Sequence, residues 1–171
     1  LFVATRFIFE DPWQFNFELH EFLKSNNQYK ISNFDKLKNQ LKHMELEKQK
    51  LWFKSRGWEI SSSSPIPFLS IMELRDLSHS NFIEIALHGH EHISYKHLSL
   101  KNAIIDINKS KLLFLKNNIN FNSKKFAFPY GDIPKDFKTE KLMKELNLDQ
   151  VFGTNPFSKK LIIGRLLFWN E

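Results

Sequence analysis

The segment FIEIALHGHEH, at residues 82–92, joins a strand pattern to a cluster of histidines. The apolar run that ends at Leu87 is typical of a buried strand, and the glycine after it indicates a loop. This loop holds His88, His90 and His92, three of the chain's seven histidines. Because neutral imidazole is the commonest protein ligand for borderline metals, the loop is the first candidate for a metal site.

Length and composition indicate one globular domain around this segment. The chain has 171 residues, of which 42% are hydrophobic and 18 are phenylalanine, enough for a sizeable core with aromatic layers. We therefore predict a single domain over residues 1–171. No run of about 18 apolar residues occurs, so we predict no membrane span. The chain opens on Leu1 without a signal-sequence pattern, which favours the cytoplasm and indicates a processed or trimmed form.

The charge balance is basic, with a formal net charge of +6 and an isoelectric point near 9.4. Most lysines lie beside Glu or Asp in helical patterns, which is typical of a solvated helix face. No nucleic-acid-binding motif occurs, so we predict no nucleic-acid partner; a basic nucleic-acid binder would show steep salt dependence. The absence of cysteine excludes thiolate ligands, so histidine and carboxylate side chains would have to hold any metal.

Strand and helix patterns alternate along most of the chain. We predict strands at residues 1–9, 29–31, 58–60, 82–87, 126–128, 150–152 and 161–168, and helices at residues 15–24, 35–55, 70–77, 100–116 and 136–146. This alternation is typical of an α/β fold with mainly parallel strands. In such folds, functional side chains gather in the loops that follow the strand ends.

Three such loops carry chemically active residues. They are Glu10-Asp11, the loop with His88 and His92, and Pro129-Tyr130-Gly131. One carboxylate and two imidazoles at the same sheet face would form an open three-ligand site for a zinc-like ion. The second carboxylate would then be placed to act as a general base.

These segments resemble three motifs of the polysaccharide deacetylases, which are metal-dependent carbohydrate esterases. FEDPWQFN at residues 9–16 is similar to the family's Phe-Asp-Asp-Gly-Tyr-x-x-Asn. HGHEH at residues 88–92, followed by Leu98-Ser99, is similar to its His-[Ser/Thr/Gly]-x-x-His and Leu-Ser pair. FAFPYG at residues 126–131 is similar to its Phe-Ala-Tyr-Pro-Tyr-Gly. The motifs stand in the family's order and span residues 7–131, with weaker similarity to about residue 165.

The resemblance implies a distorted or incomplete (β/α) barrel that removes acetyl groups from N-acetylated sugars of a surface polysaccharide or its precursor. It implies that Asp11, His88 and His92 bind a divalent metal, with zinc the first choice. It places Glu10 where the family has its catalytic-base aspartate, and it makes the backbone N–H of Tyr130 an oxyanion donor. It makes Trp13, His90 and Pro129 the candidates for contact with the carbohydrate substrate.

Three departures from the family pattern favour an alternative. Glu10 is one methylene longer than the family's aspartate, and Ala127 stands where many members have an arginine that orients the base. No histidine follows His97, although the family usually has a late histidine as general acid. The alternative is a catalytically impaired deacetylase-like protein that acts in carbohydrate binding or polysaccharide assembly.

Plainer interpretations of the same residues stay open. The three histidines of residues 88–92 would share one face of a continued strand and form a polar surface cluster. The protease pattern His-Glu-x-x-His fails because residue 94 is serine. Trp13 and Tyr130 would also serve as ordinary core or rim aromatics.

Overall fold

The computed structural model describes residues 1–26, 31–61 and 68–154 and the backbone of residues 162–164. Within this part of the chain a five-stranded sheet has the order β1-β2-β3-β4-β5, and every neighbouring pair is parallel. The strands are β1 Phe2–Val3, β2 Ala86–Leu87, β3 Asn122–Ala127, β4 Gln150–Gly153 and β5 Ile162–Gly164. The predicted α/β class with mainly parallel strands is therefore confirmed.

Helices lie in the connections from β1 to β2, from β2 to β3 and from β3 to β4, as parallel crossovers require. The α-helices in the described residues are α1 Arg6–Phe9, α2 Phe15–Ser25, α3 Phe34–Leu41, α4 Leu46–Lys54, α5 Ile71–Ser78, α6 Leu100–Lys116 and α7 Thr139–Leu146. Short 3-10 turns occur at Ile31–Asn33, Tyr95–His97 and Pro129–Gly131. These helices are too short or too polar for any of them to cross a membrane.

Capping residues fix the start of two helices where the sequence predicts it. At α5, the Ser70 hydroxyl accepts from the Glu73 N–H at 3.2 Å, and the Glu73 carboxylate accepts from the Ser70 N–H at 2.7 Å. This reciprocal capping box satisfies backbone donors that a helix start leaves unpaired. At α6, the Ser99 hydroxyl accepts from the Asn102 N–H at 3.2 Å.

The predicted strand at residues 1–9 is wrong beyond Val3, because the chain turns at Thr5 and residues Arg6–Phe9 are helical. The backbone N–H groups of Thr5 and Arg6 donate to the carbonyls of Gly89 and His90, at 3.3 and 3.1 Å. These long-range bonds to the loop at residues 88–92 end the strand. A short apolar run suits a strand or a helix equally, so periodicity alone could not choose.

The predicted helix at residues 35–55 is also wrong, since it is two helices, α3 and α4. At the break, the Ser94 N–H donates to the Lys42 carbonyl at 2.7 Å, and the Gln49 side chain donates to the carbonyls of Leu41 and Met44, at 3.1 and 3.0 Å. These bonds satisfy carbonyls at the end of α3 without continuing the helix.

Smaller differences follow from the same comparison, among them that β2 covers only Ala86–Leu87 of the strand predicted at residues 82–87. Residues 58–60 form no strand, and α7 begins at Thr139 instead of near Asp136. Ile31, predicted to end a strand, begins a 3-10 turn. Parts of two predicted strands lie outside the described residues, namely residues 29–30, 161 and 165–168.

The described residues pack into two apolar cores. The first surrounds the sheet and includes Leu87, Phe126 and Phe128, all buried. The second joins α2, α3 and α4 and includes Phe22, Trp52 and Phe53, among others. Tyr130 packs against this second core although it follows β3 of the first. The loop after β3 therefore lies where the two cores meet.

A buried carboxylate holds the second core together. Glu18 accepts from the indole N–H of Trp13 at 2.9 Å, from that of Trp58 at 2.5 Å and from the Ser61 N–H at 3.3 Å. A buried charge is tolerated when several donors satisfy it in this way. Trp58 is the first residue of the wrongly predicted strand at residues 58–60, and its side chain is thus held by Glu18.

Candidate functional site

Residues 88–92, which we call the histidine loop, begin directly after β2. The backbone is left-handed at Gly89, with φ of 76°, and at His92, with φ of 54°. Left-handed backbone is uncommon for residues other than glycine, and it occurs often at functional sites. These turns separate the histidines, so the loop does not continue as a strand with all three on one face.

The carboxylate of Asp106, on α6, anchors the histidine loop. Its Oδ2 accepts from the His90 N–H at 2.9 Å and from the Tyr95 hydroxyl, and its Oδ1 accepts from the Glu91 N–H at 2.9 Å. Burial and the nearby Asp106 charge raise the pKa of Tyr95 well above its usual value, so the phenol stays protonated and donates. Three donors thus hold one buried carboxylate and fix the loop.

His88 is buried at the start of the loop and is held in one tautomer. Its Nδ1 lies 2.8 Å from the Ala127 carbonyl, which can only accept, so Nδ1 carries the proton. In the neutral ring, Nε2 then carries the lone pair. Metal-binding histidines are commonly oriented in this way by a backbone carbonyl.

His92 and Tyr130 complete a cluster of rings with His88. The His92 ring centre lies 5.0 Å from that of His88 and 4.8 Å from that of Tyr130. Tyr130 also has left-handed backbone, with φ of 58°. Burial raises its pKa, so its phenol is neutral at physiological pH. Pro129, a predicted substrate contact, is the first residue of the same turn and is buried.

These three rings line a cavity of about 490 Å³, which we call the histidine cavity. Asn16, Asp35, Lys38, Asn39, Lys42, Gly131 and Thr154 also line it. Lys42 lies 2.8 Å from the Asp132 carboxylate and 5.8 Å from the centre of the Tyr130 ring. The cavity thus has an aromatic wall and charged side chains of both signs.

Glu10 and Asp11 line a different cavity, of about 460 Å³, together with Glu45, Glu47 and Glu91. We call it the acidic cavity. They follow α1 and not a strand end, because β1 stops at Val3. The structure therefore brings His88, His92 and Tyr130 together and leaves both predicted carboxylates outside their cavity.

Both carboxylates are engaged in ion pairs. Asp11 lies 2.7 Å from the Lys50 ammonium and accepts from the Trp13 N–H at 2.9 Å. Burial acts to raise the pKa of Asp11, but these bonds outweigh it and hold the pKa below its usual value. Glu10 pairs with Lys109 at 2.9 Å. Among the described residues, no three His, Asp or Glu side chains are grouped so that they could hold a metal.

His90 and Trp13 have internal partners. The His90 side chain is fully buried; its Nε2 donates to Glu10 at 3.1 Å, and its Nδ1 accepts from the Thr5 hydroxyl at 3.0 Å. Burial lowers the pKa of His90, which favours this neutral ring. Trp13 is buried in the second core against Phe53, with ring centres 6.0 Å apart. Neither is placed as an open surface for a sugar.

Sequence reasoning missed two residues of the site. Asp106 stands on the face of α6 that also carries Ala103, Ile107 and Ser110, all buried. A carboxylate on a helix face that also carries Ala103, Ile107 and Phe114 was the available signal. Arg6, only 4% exposed, carried the same kind of signal, because it is the one charged residue in the apolar run at residues 1–9.

No protein-family model, curated protein or solved structure matches this chain. The deacetylase resemblance therefore rests on the three short motifs. The function has to be argued from the geometry of the histidine loop and its cavity.

Replacing Gly89 by alanine should disrupt the loop anchor. A Cβ there would lie 2.6 Å from the Asp106 carboxylate and 2.9 Å from the Tyr95 hydroxyl. Gly57 is the matched control, since its φ is also positive, 71°, but a Cβ would meet nothing within 4 Å. We expect Gly57→Ala to cost about 1 kcal/mol and Gly89→Ala more than about 3 kcal/mol. Urea unfolding measures both, and equal losses would contradict the role given to Asp106.

Proposed function

We propose that this protein is a deacetylase-like hydrolase that removes acetyl groups from N-acetylated sugars of a surface polysaccharide or its precursor. The observation that supports this proposal is a shared cavity at the ends of β2 and β3. It is lined by His88, His92 and Tyr130, which come from two of the three motifs. Active sites of parallel α/β folds gather at such strand ends. The five parallel strands are compatible with the proposed incomplete barrel.

The two imidazoles fit a divalent metal, and Asp11 does not fit as its third ligand. In His88 the lone pair of the neutral ring is on Nε2, because Nδ1 donates to the Ala127 carbonyl, and the His92 ring lies 5.0 Å away, centre to centre. Asp11 is bound by Lys50 and faces the acidic cavity. A divalent ion, zinc first, would supply Lewis acidity toward an acetyl carbonyl.

Other residues would shape the proposed site without a metal. The left-handed turn at Tyr130 sets the direction of its backbone N–H, the proposed donor to an oxyanion. Lys42 adds positive charge near the same turn and is fixed by Asp132. Asp35 supplies a carboxylate to the lining of the histidine cavity, whereas Glu10 does not line this cavity.

A second candidate is a carbohydrate-binding or polysaccharide-assembly protein that does not hydrolyse its ligand. One observation favours it. Glu10, which the deacetylase resemblance makes the base, is bound to Lys109 and His90 and lines the acidic cavity. Hydrolysis without Glu10 would require another base, whereas binding would not.

Zinc binding tests the metal ligands. We expect His88→Ala and His92→Ala to weaken zinc affinity by more than about tenfold, because each removes a ligand. We expect Asp11→Ala to change it less than about twofold, because Asp11 pairs with Lys50. His20→Ala is the control, since His20 is exposed on α2. Calorimetric titration of chelator-stripped protein measures all four, and a loss in Asp11→Ala as large as in His88→Ala would refute this ligand assignment.

Acetate release from N-acetylated oligosaccharides separates the two candidates. The proposed hydrolase should release acetate with zinc, lose release in His88→Ala and keep it within about threefold in Glu10→Gln, because Glu10 lies outside the histidine cavity. Sugar binding without release by the parent protein, with any divalent metal tested, would instead support the binding protein.

A further inference from the structure

A further cavity of about 250 Å³, which we call the apolar cavity, also has His88 and His92 in its lining. Among the described residues that line it, Gln14 and these two histidines are the polar ones, and the rest are apolar. The apolar ones come from β1 and the residues beside it, from α1, and from the segment before α5 that contains Phe68 and Leu69. The apolar cavity therefore adjoins the proposed metal ligands and differs in character from the charged histidine cavity.

Aromatic contacts connect each of the two histidines with this cavity. The Phe7 ring centre lies 5.4 Å from that of His92 and 5.2 Å from that of Phe68. The Phe2 ring centre lies 6.5 Å from that of His88. Each imidazole thus has a phenylalanine of the apolar cavity as a neighbour. A ligand group held at the two imidazoles would therefore border both the histidine cavity and the apolar cavity.

The wall of the apolar cavity is only partly covered by the described residues. Its partly exposed members are Phe2, Phe7, Ile8, Phe68 and Leu69. Apolar surface in contact with water favours an apolar ligand, because each methylene that is buried there adds to the binding free energy. An apolar cavity of about 150 Å³ is enough for a benzene molecule. The apolar cavity, of about 250 Å³, therefore has room for a chain of about six carbons.

An acetyl group is small for this cavity, because it brings only one methyl group. The hydroxyl groups of a sugar need polar partners, and Asn16 and Asn39 are polar side chains that line the histidine cavity. A sugar amide at His88 and His92 would thus have its polar ring in the histidine cavity and its acyl chain in the apolar cavity. The two cavities together fit an amide with one polar and one apolar end.

We propose that the apolar cavity binds the acyl chain of an amino sugar whose N-acyl group is longer than acetyl, about six carbons in length. This assignment rests on the proposed function and extends its substrate class from acetyl to medium-chain acyl groups. In the hydrolysis, one water adds to the amide carbonyl carbon and the C–N bond breaks. The carbonyl carbon keeps the oxygen of that water and the sugar nitrogen takes up both of its protons. The products are the carboxylate of the chain and the protonated sugar amine.

Binding to the metal-free protein tests the apolar cavity separately from any hydrolysis. Calorimetric titration compares N-acetylglucosamine with N-hexanoylglucosamine, which has four more methylenes. The longer chain should tighten binding by at least about tenfold, because each methylene contributes up to about fourfold when it is buried. The heat-capacity change of binding should also be more negative for the hexanoyl sugar, as burial of apolar surface requires.

Variants of the cavity wall test where the chain binds. Phe68→Ala and Leu69→Ala should each reduce the preference for the hexanoyl sugar by about threefold or more, because each removes part of the apolar wall. Phe68→Leu, which keeps an apolar side chain at this position, should retain most of the preference. Phe82→Ala is the matched control, since Phe82 is 97% exposed and does not line the cavity. It should leave the preference unchanged.

Two results would overturn the assignment. The first is equal affinity of the parent protein for the two sugars, and the second is an unchanged preference in folded Phe68→Ala and Leu69→Ala. If the affinities are equal and Phe68→Ala also converts a dimer in solution into a monomer, the apolar cavity belongs instead to the interface with a second copy of the chain.

The outcome is separable from that of the proposed hydrolysis. If both proposals are correct, the zinc-loaded protein releases hexanoate with a higher kcat/KM than acetate. A Phe68-dependent preference for the hexanoyl sugar without release of either acid would leave the apolar cavity in place and refute the hydrolase. Acetate release by a parent protein that shows no preference for the longer chain would leave the hydrolase in place and refute the assignment of the apolar cavity.

Discussion

The carboxylate of Asp106 is the group on which the site depends. It accepts from two backbone N–H groups of the histidine loop and from the Tyr95 hydroxyl, so it ties the loop to the centre of α6. The loop contains left-handed backbone at Gly89 and His92, which persists only where surrounding contacts hold it. The carbonyls of Gly89 and His90 then accept from Thr5 and Arg6 and end β1. One carboxylate thus links the loop, α6 and the start of the chain.

The histidine loop separates two cavities of different chemistry. His88 and His92 face the histidine cavity with Tyr130, whereas His90 lies on the acidic cavity with Glu10. Alternate histidines of a straight strand would have pointed to one side. Because of the left-handed backbone at Gly89 and His92, the three histidines do not all point to one side. The polar surface cluster that the spacing permits does not form, since His88 and His90 are both buried.

Local signals predicted the parts of the fold that local interactions control. Ser70 and Ser99 mark helix starts because the hydroxyl of each accepts from the N–H group three residues on. Residues 1–9 and 35–55 were misjudged because distant partners, Gly89, His90 and Ser94, end their elements. For the site, the motifs select His88, His92 and Tyr130, which line one cavity. They also select Glu10 and Asp11, which line another cavity, because a match in residue type does not reveal that a helix precedes the pair.

The central claim is that His88 and His92 form the metal-binding part of the site and that Asp11 stays outside it. Zinc anomalous diffraction from crystals of the zinc-loaded protein tests this most directly. We predict a peak about 2.0–2.1 Å from His88 Nε2 and from a ring nitrogen of His92, with Asp11 still paired with Lys50. A peak with Asp11 as a ligand, or one at Glu10 and His90 with none at His88, would contradict the account.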